Sequence, residues 1–159
     1  MGVDTLSMKM PYFSQRDPRW VKEKLGASLL TVGRFGCTTT AISMLSGYFD
    51  CLRLPSELAH DVNNYTKDGL IIWKNLVFQK MKFVGREYVR NDEKIREYLK
   101  DSGKAVIFEV NNHAHWVVGV KPTLVGNDYV IVDPWTGQKG MLLKPYRNIT
   151  GAAYFEVKI

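Results

Sequence analysis

The chain has 159 residues, of which 22 are Lys or Arg and 16 are Asp or Glu, so its formal net charge is +6. This length suits one domain of ordinary size and excludes two. A hydrophobic content of 45% excludes a disordered chain, and the presence of only two cysteines excludes a disulfide scaffold or a four-thiolate zinc site. The basic balance allows an anionic partner such as nucleic acid, a cell-wall polymer or a membrane surface, without choosing among them.

The sequence shows no targeting signal. Residues 1–7 lack the apolar stretch of a secretory signal, and their pattern does not fit myristoylation. The longest apolar runs, 70–73 and 117–120, are too short to span a membrane. We therefore expect no membrane span, and a chain that stays in the cytoplasm, is released by lysis, or is made with a leader that these 159 residues do not include.

The first half of the chain predicts helices, within a single domain at 11–159 that follows an N-terminal segment at 1–10. Residues 11–36 are punctuated by Pro and Gly, which is typical of loops. Apolar residues then recur at i, i+3, i+4 and i+7, which predicts a helix over 37–49. Three further helices are predicted, over 55–62 from Pro55, over 73–81, and over 91–103 with Asn91 as N-cap and Gly103 as the stop.

The second half predicts strands instead. Segments 105–110, 115–121 and 128–132 are rich in β-branched and aromatic residues, with turn signals between them, and 154–159 predicts a last strand. Helices followed by strands favour an α+β fold, in which N-terminal helices pack on a C-terminal antiparallel sheet.

Cys37 opens the first long predicted helix, directly after Gly36. Free N–H groups and the dipole at a helix start stabilise a thiolate, which is the nucleophilic form of cysteine. The alternative is a small buried core residue, the usual fate of a free cysteine. If the segment from Cys37 to Cys51 is mostly helical, the two residues lie about 20 Å apart, at about 1.5 Å per residue. This distance is too long for a disulfide, so Cys51 is interpreted as an ordinary thiol.

A cysteine nucleophile needs a base, and the chain has three histidines. His60 lies on a predicted amphipathic helix and is expected at the surface. His113 lies in a turn, with less support from a strand. His115 begins a predicted strand and is the preferred base. A metal site built from His113 and His115 lacks a third ligand at a suitable spacing, so no metal or other cofactor is predicted.

Asp133 ends the next predicted strand and is the candidate that orients His115. If residues 122–126 form the connecting loop, Lys121 pairs with Asn127, and the same register places His115 opposite Asp133. Opposed side chains share a face, with Cβ atoms about 5 Å apart. A slip of one residue would turn one side chain to the other face. The alternative is that Asp133 only ends a strand and enters a turn.

Gln15 is a candidate oxyanion donor, together with the backbone N–H of Cys37. Acyl transfer builds negative charge on a carbonyl oxygen, which a side-chain amide and a backbone N–H can stabilise. The alternative is a solvated loop glutamine, which the spacing alone does not reject.

These residues stand in an order that resembles a known family. The ordered set is Tyr12-x-x-Gln15-x-Asp17-x-x-Trp20, Leu25-Gly26, Val32-Gly33-x-x-Gly36-Cys37, Ala41-x-x-Met44, His115-Trp116-Val117-Val118 and Asp133-Pro134-Trp135. It is similar to the stand-alone papain-like cysteine peptidases related to the bacteriocin-processing (double-glycine leader) peptidases. The resemblance covers residues 11–140 and implies a papain-like fold, with the cysteine helix packed on the sheet that carries the histidine.

The resemblance also implies roles for four residues. Cys37 would be the nucleophile and His115 the base. Asp133 would orient the histidine, and Gln15 would be the oxyanion donor. The implied enzyme is a thiol hydrolase, a cysteine peptidase that cleaves a peptide or isopeptide bond through a thioester acyl-enzyme.

Stand-alone domains of this family occur in bacterial and phage proteins, some of which lyse cell walls, so a peptidoglycan stem peptide is one expected substrate. A net charge of +6 would attract the domain to anionic wall polymers. The same site allows an acyltransferase or a glutamine deamidase, and a non-catalytic binding module of the same fold stays open. No nucleic-acid partner is expected, because the basic residues are scattered among acidic ones. No feature specifies an oligomeric state.

Overall fold

The computed structural model describes Leu6 and residues 9–159. In this part of the chain the helices are α1 (Val32–Phe35), α2 (Cys37–Tyr48), α3 (Pro55–His60) and α4 (Asp92–Lys100). The strands are β1 (Met81–Glu87), β2 (Lys104–Val110), β3 (His115–Pro122), β4 (Tyr129–Asp133), β5 (Gln138–Leu142) and β6 (Gly151–Val157). They form one antiparallel sheet in the order β1-β6-β2-β3-β4-β5. The predicted α+β class is therefore confirmed.

Two of the helices form where local sequence signals predict them. α2 begins at Cys37, as its apolar spacing indicates. α4 begins after Asn91, whose side-chain oxygen accepts a hydrogen bond from the backbone N–H of Lys94 at 3.1 Å. This N-cap satisfies one of the N–H groups that a helix start leaves unpaired. Pro55 takes the first position of α3, which ends at His60, earlier than predicted.

The helix predicted over 73–81 is wrong. Trp73–Asn75 forms only a short 3₁₀ turn, and Met81 already begins β1, which pairs with β6. Val77 is 69% exposed, so the apolar spacing there does not make one buried helix face. Trp73 instead stacks on Phe83 of β1, with ring centroids 5.4 Å apart. Packing against the sheet decides this segment, because tertiary contacts override a weak local pattern.

The four predicted strands are present, with β6 starting earlier and ending earlier than predicted. The sequence missed β1 and β5, which form the two edges of the sheet. The residues of β5 are almost all exposed, so they show no alternation of apolar and polar positions. An edge strand of this kind is defined by its pairing rather than by its composition.

The sheet carries a hydrophobic core on each face. Ile107 of β2 packs with residues of α2 on one face, and Phe108 packs with Ile95 of α4 on the other. Successive side chains of a strand point to opposite faces, which explains this division. Leu6 and Met10 are buried in the α2-side core, whereas most of the predicted N-terminal segment lies outside the described residues.

None of the helices among the described residues has the length and apolar character needed to cross a membrane. The longest of them, α2, packs on β2 and β3 and so places its amino end beside the sheet.

The segment before α1 is held against the turn that follows β4. The backbone N–H of Gln15 donates to the carbonyl of Pro134 at 2.7 Å. The Ser14 hydroxyl donates to the carbonyl of Trp135 at 3.0 Å. These bonds join two parts of the chain that are far apart in sequence, and they place Gln15 close to the end of β4.

We expect Gly137→Ala to lower the free energy of unfolding more than Gly140→Ala does. Both glycines have positive φ angles, +71° and +79°, so alanine meets backbone strain at both positions. A Cβ at Gly137 would also lie 2.9 Å from the backbone nitrogen of Ser14, whereas a Cβ at Gly140 meets none of the described residues within 4 Å. The loss should be about 1 kcal/mol at Gly140 and about 2–3 kcal/mol at Gly137. Urea denaturation measures both, and equal losses would contradict the close approach to Ser14.

Candidate active site

The candidate residues meet at one end of the sheet. His115 is the first residue of β3 and Asp133 is the last residue of β4. Because these strands are antiparallel neighbours, both residues lie at the same end. Cys37 is the first residue of α2, which packs on β3. The fold therefore brings one residue from each of three elements together.

His115 and Asp133 form a buried pair. Nε2 of His115 lies 2.7 Å from Oδ1 of Asp133, and the two side chains are 13% and 2% exposed. The carboxylate also accepts hydrogen bonds from the backbone N–H of Trp135, at 2.9 Å, and from the hydroxyl of Tyr146. Burial raises the pKa of Asp133, but the hydrogen bonds from His115, Tyr146 and Trp135 outweigh it and hold that pKa below its usual value. The carboxylate is thus kept ionised.

The predicted contact of this pair forms in a different strand register. Val118 pairs with Val132, and the same register places Asp133 opposite Val117 rather than opposite His115. The predicted register is wrong by two residues, because β3 continues past the predicted start of the loop and contains a bulge. A shift of two residues keeps both side chains on one face, so the residues are diagonal neighbours instead of opposed ones.

Cys37 is half-buried, and its thiol also interacts with the His115 ring. Asp133 occupies Nε2, which leaves Nδ1 as the ring nitrogen for the thiol. Burial by itself lowers the pKa of His115. The hydrogen bonds with Asp133 and Cys37, and the charges of both groups, outweigh burial and raise that pKa to about 9. Within the described part of the chain no side chain caps the amino end of α2, so its N–H groups and dipole also act on Cys37.

We expect an NMR titration to show the imidazole of His115 losing its proton near pH 9, because Asp133 stabilises the charged ring. The signal is assigned by its loss in His115→Gln. The proton is held more tightly in the folded chain than in the unfolded chain, whose His pKa is 6.5. It therefore stabilises the fold fully below about pH 6.5, and this stabilisation is lost as the pH rises through about 9. A pKa of His115 at or below 6.5 would contradict the geometry.

Gln15 is 1% exposed, so the alternative of a solvated loop glutamine is wrong. Its Nε2 donates to the carbonyl of Gly33 at 3.2 Å and lies 3.5 Å from the carbonyl of Val32. Its Oε1 is buried and finds no hydrogen-bond partner among the residues that the structure describes. Because Val32 and Gly33 belong to α1, Gln15 links the turn after β4 to the helix that leads into Cys37.

The other candidate residues lie outside this cluster. Nδ1 of His113 lies 2.9 Å from Oε1 of Glu109, and Nε2 of His60 lies 3.0 Å from Oε2 of Glu23; both histidines are exposed. Cys51 follows the end of α2, and both cysteines are free thiols. Among the residues that the structure describes, no group of three or more His, Cys, Asp or Glu side chains could hold a metal ion.

Sequence reasoning missed Tyr146. Its hydroxyl donates to the Asp133 carboxylate, and its ring lies beside the His115 ring with centroids 5.4 Å apart. Burial, followed by the hydrogen bond to Asp133, raises the pKa of this phenol and keeps it a donor. Tyr146 belongs to a 3₁₀ turn that follows the unpredicted strand β5. No spacing in the sequence marks it, because the pairing of β5 with β4 is what returns it to the site.

No family model matches this chain, and no curated protein or solved structure matches it significantly. A fold alone does not define a function. The geometry of Cys37, His115 and Asp133 therefore carries the functional argument.

Proposed function

We propose that this chain is a cysteine hydrolase with a papain-like fold, which cleaves a peptide or isopeptide bond through a thioester acyl-enzyme. The observation that carries the proposal is that His115 interacts both with the Cys37 thiol and, at 2.7 Å, with the buried carboxylate of Asp133. A nucleophile beside a base that a third group orients is the arrangement that activates thiols for acyl transfer. The helix that opens with Cys37 and packs on an antiparallel sheet also supports the papain-like fold.

The first half of the proposed reaction makes the acyl-enzyme. Nδ1 of His115 already holds the proton of the Cys37 thiol, and the sulfur attacks the carbonyl carbon of the substrate as a thiolate. The carbonyl oxygen takes the electron pair of its double bond and becomes an oxyanion. Asp133 stays ionised and stabilises the imidazolium. The C–N bond then breaks, His115 donates its proton to the departing amine, and the acyl group remains on sulfur.

The second half releases the acid. His115 takes a proton from a water molecule, whose oxygen attacks the thioester carbon. The C–S bond breaks, and the sulfur leaves as a thiolate beside the protonated ring of His115. The balance is one amide bond and one water converted to a carboxylic acid and an amine. The enzyme ends with the thiolate and the protonated imidazole with which it began.

Gln15 and the backbone N–H of Cys37 are the proposed donors to the oxyanion. The carbonyl of Gly33 takes one of the two Nε2 hydrogens of Gln15, at 3.2 Å. The carbonyl of Val32 accepts from the same Nε2 at 3.5 Å, the limit of a hydrogen bond, so this weaker bond is the one that would break for the amide to reach the oxyanion. A donor that is fixed before the reaction costs no reorganisation, and each such donor contributes about 10²–10³ in kcat.

The proposal is tested with a mixture of synthetic peptides and with purified peptidoglycan stem peptides, in water labelled with heavy oxygen. We expect cleavage, with one labelled oxygen in each new carboxyl group. The net charge of +6 supports activity on anionic cell-wall material as well as on free peptides. A chain that leaves every peptide intact would contradict the proposal.

An added amine such as glycinamide separates the two reactions that the same site allows. A hydrolase gives mainly the labelled acid, because water is the acceptor. Amide products would identify an acyltransferase, and release of ammonia from glutamine side chains would identify a deamidase. Product mass spectrometry, with and without the amine, distinguishes these outcomes.

A further inference from the structure

A buried carboxylate that the proposed reaction does not use lies at the same end of the sheet as His115. Glu109 of β2 is 4% exposed, and it pairs with Trp116 of β3, the residue that follows His115. A carboxylate is almost never buried to this extent unless other groups pair with it and donate hydrogen bonds to it. The partners of Glu109 therefore show which parts of the chain it holds together.

Three segments of the chain contact this carboxylate. Arg86 of β1 donates from Nη2 to Oε2 at 2.8 Å. The hydroxyl of Thr150, just before β6, donates to Oε1 at 3.0 Å. Nδ1 of His113 lies 2.9 Å from the same oxygen, and His113 belongs to the turn that joins β2 to β3. The Glu109 carboxylate therefore ties the β2–β3 turn to β1 and to the start of β6.

The β2–β3 turn, residues 111–114, has a strained backbone. Asn111, Asn112 and His113 have φ angles of +53°, +54° and +70°, so three consecutive residues other than glycine lie in the left-handed region. This region is uncommon for such residues and costs free energy, so it persists only where the surrounding structure holds it. The contact between His113 and Glu109 holds the last of the three.

His115 depends on this turn because it begins β3 only two residues after His113. Its pairing with Val110 of β2 is the first pair after the turn. The next residue, Trp116, is also held by these groups, since Cζ of Arg86 lies 4.9 Å from the centroid of its ring. The main chain is thus anchored on both sides of His115. A catalytic group displaced by about 1 Å can lose about 10² in rate, so this anchoring bears directly on the proposed reaction.

We propose that His113 is a positioning residue: its contact with Glu109 fixes the β2–β3 turn and thereby directs the imidazole of His115. This inference rests on the proposed function, which makes His115 the base for Cys37. The sequence also allows His113 as a base, and its contact with a buried carboxylate gives it this different role. Because Nδ1 carries a hydrogen in the charged ring and in one neutral tautomer, it can donate to Glu109 in both charge states.

His113→Asp and His113→Asn are a matched pair of variants that tests the inference. The two new side chains have almost the same size, and both accept the left-handed region readily. Asparagine can donate an amide N–H to Glu109, whereas aspartate repels that carboxylate. The side chain of His113 is 63% exposed, so we expect both variants to fold.

Two rates report the position of the His115 ring in these variants. The first is kcat on a peptide that the wild type cleaves, and the second is the rate of iodoacetamide alkylation at Cys37 at about pH 6. In His113→Asp we expect both rates to fall by about tenfold or more, with KM little changed, because the base is misplaced. In His113→Asn both rates should stay within about threefold of the wild type, because the donor to Glu109 is kept.

The pKa of His115, measured by NMR, separates displacement of the ring from a change in charge. In His113→Asp this pKa should fall from about 9, because a displaced ring contacts Asp133 less closely. A new carboxylate close to the ring would by itself raise the pKa instead. A fall therefore reports that the ring has moved.

Thr150→Val is the control for a merely structural role. It removes the other hydrogen bond to Oε1 of Glu109 and keeps the shape of the side chain. We expect it to lower the free energy of unfolding, because the carboxylate loses a donor. It should leave kcat, the alkylation rate and the pKa of His115 unchanged, because Thr150 lies outside the β2–β3 turn. If His113 only stabilised the fold, His113→Asp would behave in the same way.

Each remaining outcome decides one of the two claims. A His113→Asp protein that keeps the alkylation rate of Cys37, or a His115 pKa at or above its wild-type value, overturns this inference and leaves the proposed function standing. Equal losses in His113→Asn or in Thr150→Val also overturn it, since the donor in the turn would then not be the cause. A wild type that cleaves no peptide and alkylates both cysteines equally overturns the proposed function, and this inference with it.

Discussion

Cys37→Ala is expected to abolish peptide cleavage, with a loss of about 10⁴–10⁶ in kcat. The thioester cannot form without the sulfur, and the remaining oxyanion donors supply only the residual catalysis of substrate binding and charge stabilisation. The other thiol, Cys51, lies beyond the carboxyl end of α2 and cannot replace it. Steady-state kinetics, on the synthetic peptide that the wild type cleaves fastest, measures the loss.

Cys51→Ala is the matched control for this substitution. Both cysteines are half-buried free thiols packed against the same core, so both changes remove one sulfur from similar surroundings. The control should keep the activity of the wild type, and circular dichroism should show both variants folded. A folded Cys37→Ala protein that cleaves peptides at a tenth or more of the normal rate would show that Cys37 is not the nucleophile.

Asp133→Asn is expected to lower kcat by about 10²–10⁴ while leaving KM little changed. An amide keeps the size of the carboxylate but removes the charge that stabilises the imidazolium of His115. The pKa of His115 then falls from about 9, because burial still lowers it and only Cys37 still raises it. The alkaline limb of the pH–rate profile should therefore move to lower pH in the variant.

Asp128→Asn provides the control for this charge removal. Asp128 immediately precedes β4, and its carboxylate accepts a hydrogen bond from the backbone N–H of Tyr129 at 2.8 Å. It lies at the opposite end of β4 from Asp133 and His115, so we expect neither kcat nor the pH profile to change. The position of the alkaline limb separates an electrostatic role of Asp133 from a merely structural one. An unmoved limb would contradict the pairing of Asp133 with His115 in the reaction.

The elements that carry Cys37 and His115 could be predicted because their signals are local. The apolar spacing after Cys37 repeats at the helical period, and the residues after His115 are β-branched and aromatic. The strand register could not be predicted, because the extent of β3 and its bulge depend on pairing with β4. The predicted contact between His115 and Asp133 is nevertheless correct, because a shift by an even number of residues keeps both side chains on the same face of the sheet.

The contacts that complete the site depend on folding over long distances. Gln15 is buried, and its side-chain amide donates to the carbonyl of Gly33 in α1. No sequence pattern around Gln15 predicts that contact. Tyr146 reaches Asp133 only after β5 pairs with β4, and the exposed β5 carries no periodic signal. The apolar spacing after Trp73 predicts a helix, whereas its ring in fact stacks on Phe83 of β1. In each case a tertiary contact outweighs or replaces the local sequence signal.

Alkylation by iodoacetamide tests the pairing of Cys37 with His115 most directly, because it needs no substrate. Mass spectrometry follows both thiols in one sample, with Cys51 as the internal reference. At about pH 6 we expect Cys37 to react at least about tenfold faster than Cys51, because the adjacent imidazolium stabilises the thiolate. His115→Gln should remove that difference. Equal rates in the wild type, or a difference that persists in His115→Gln, would contradict the proposed nucleophile and base.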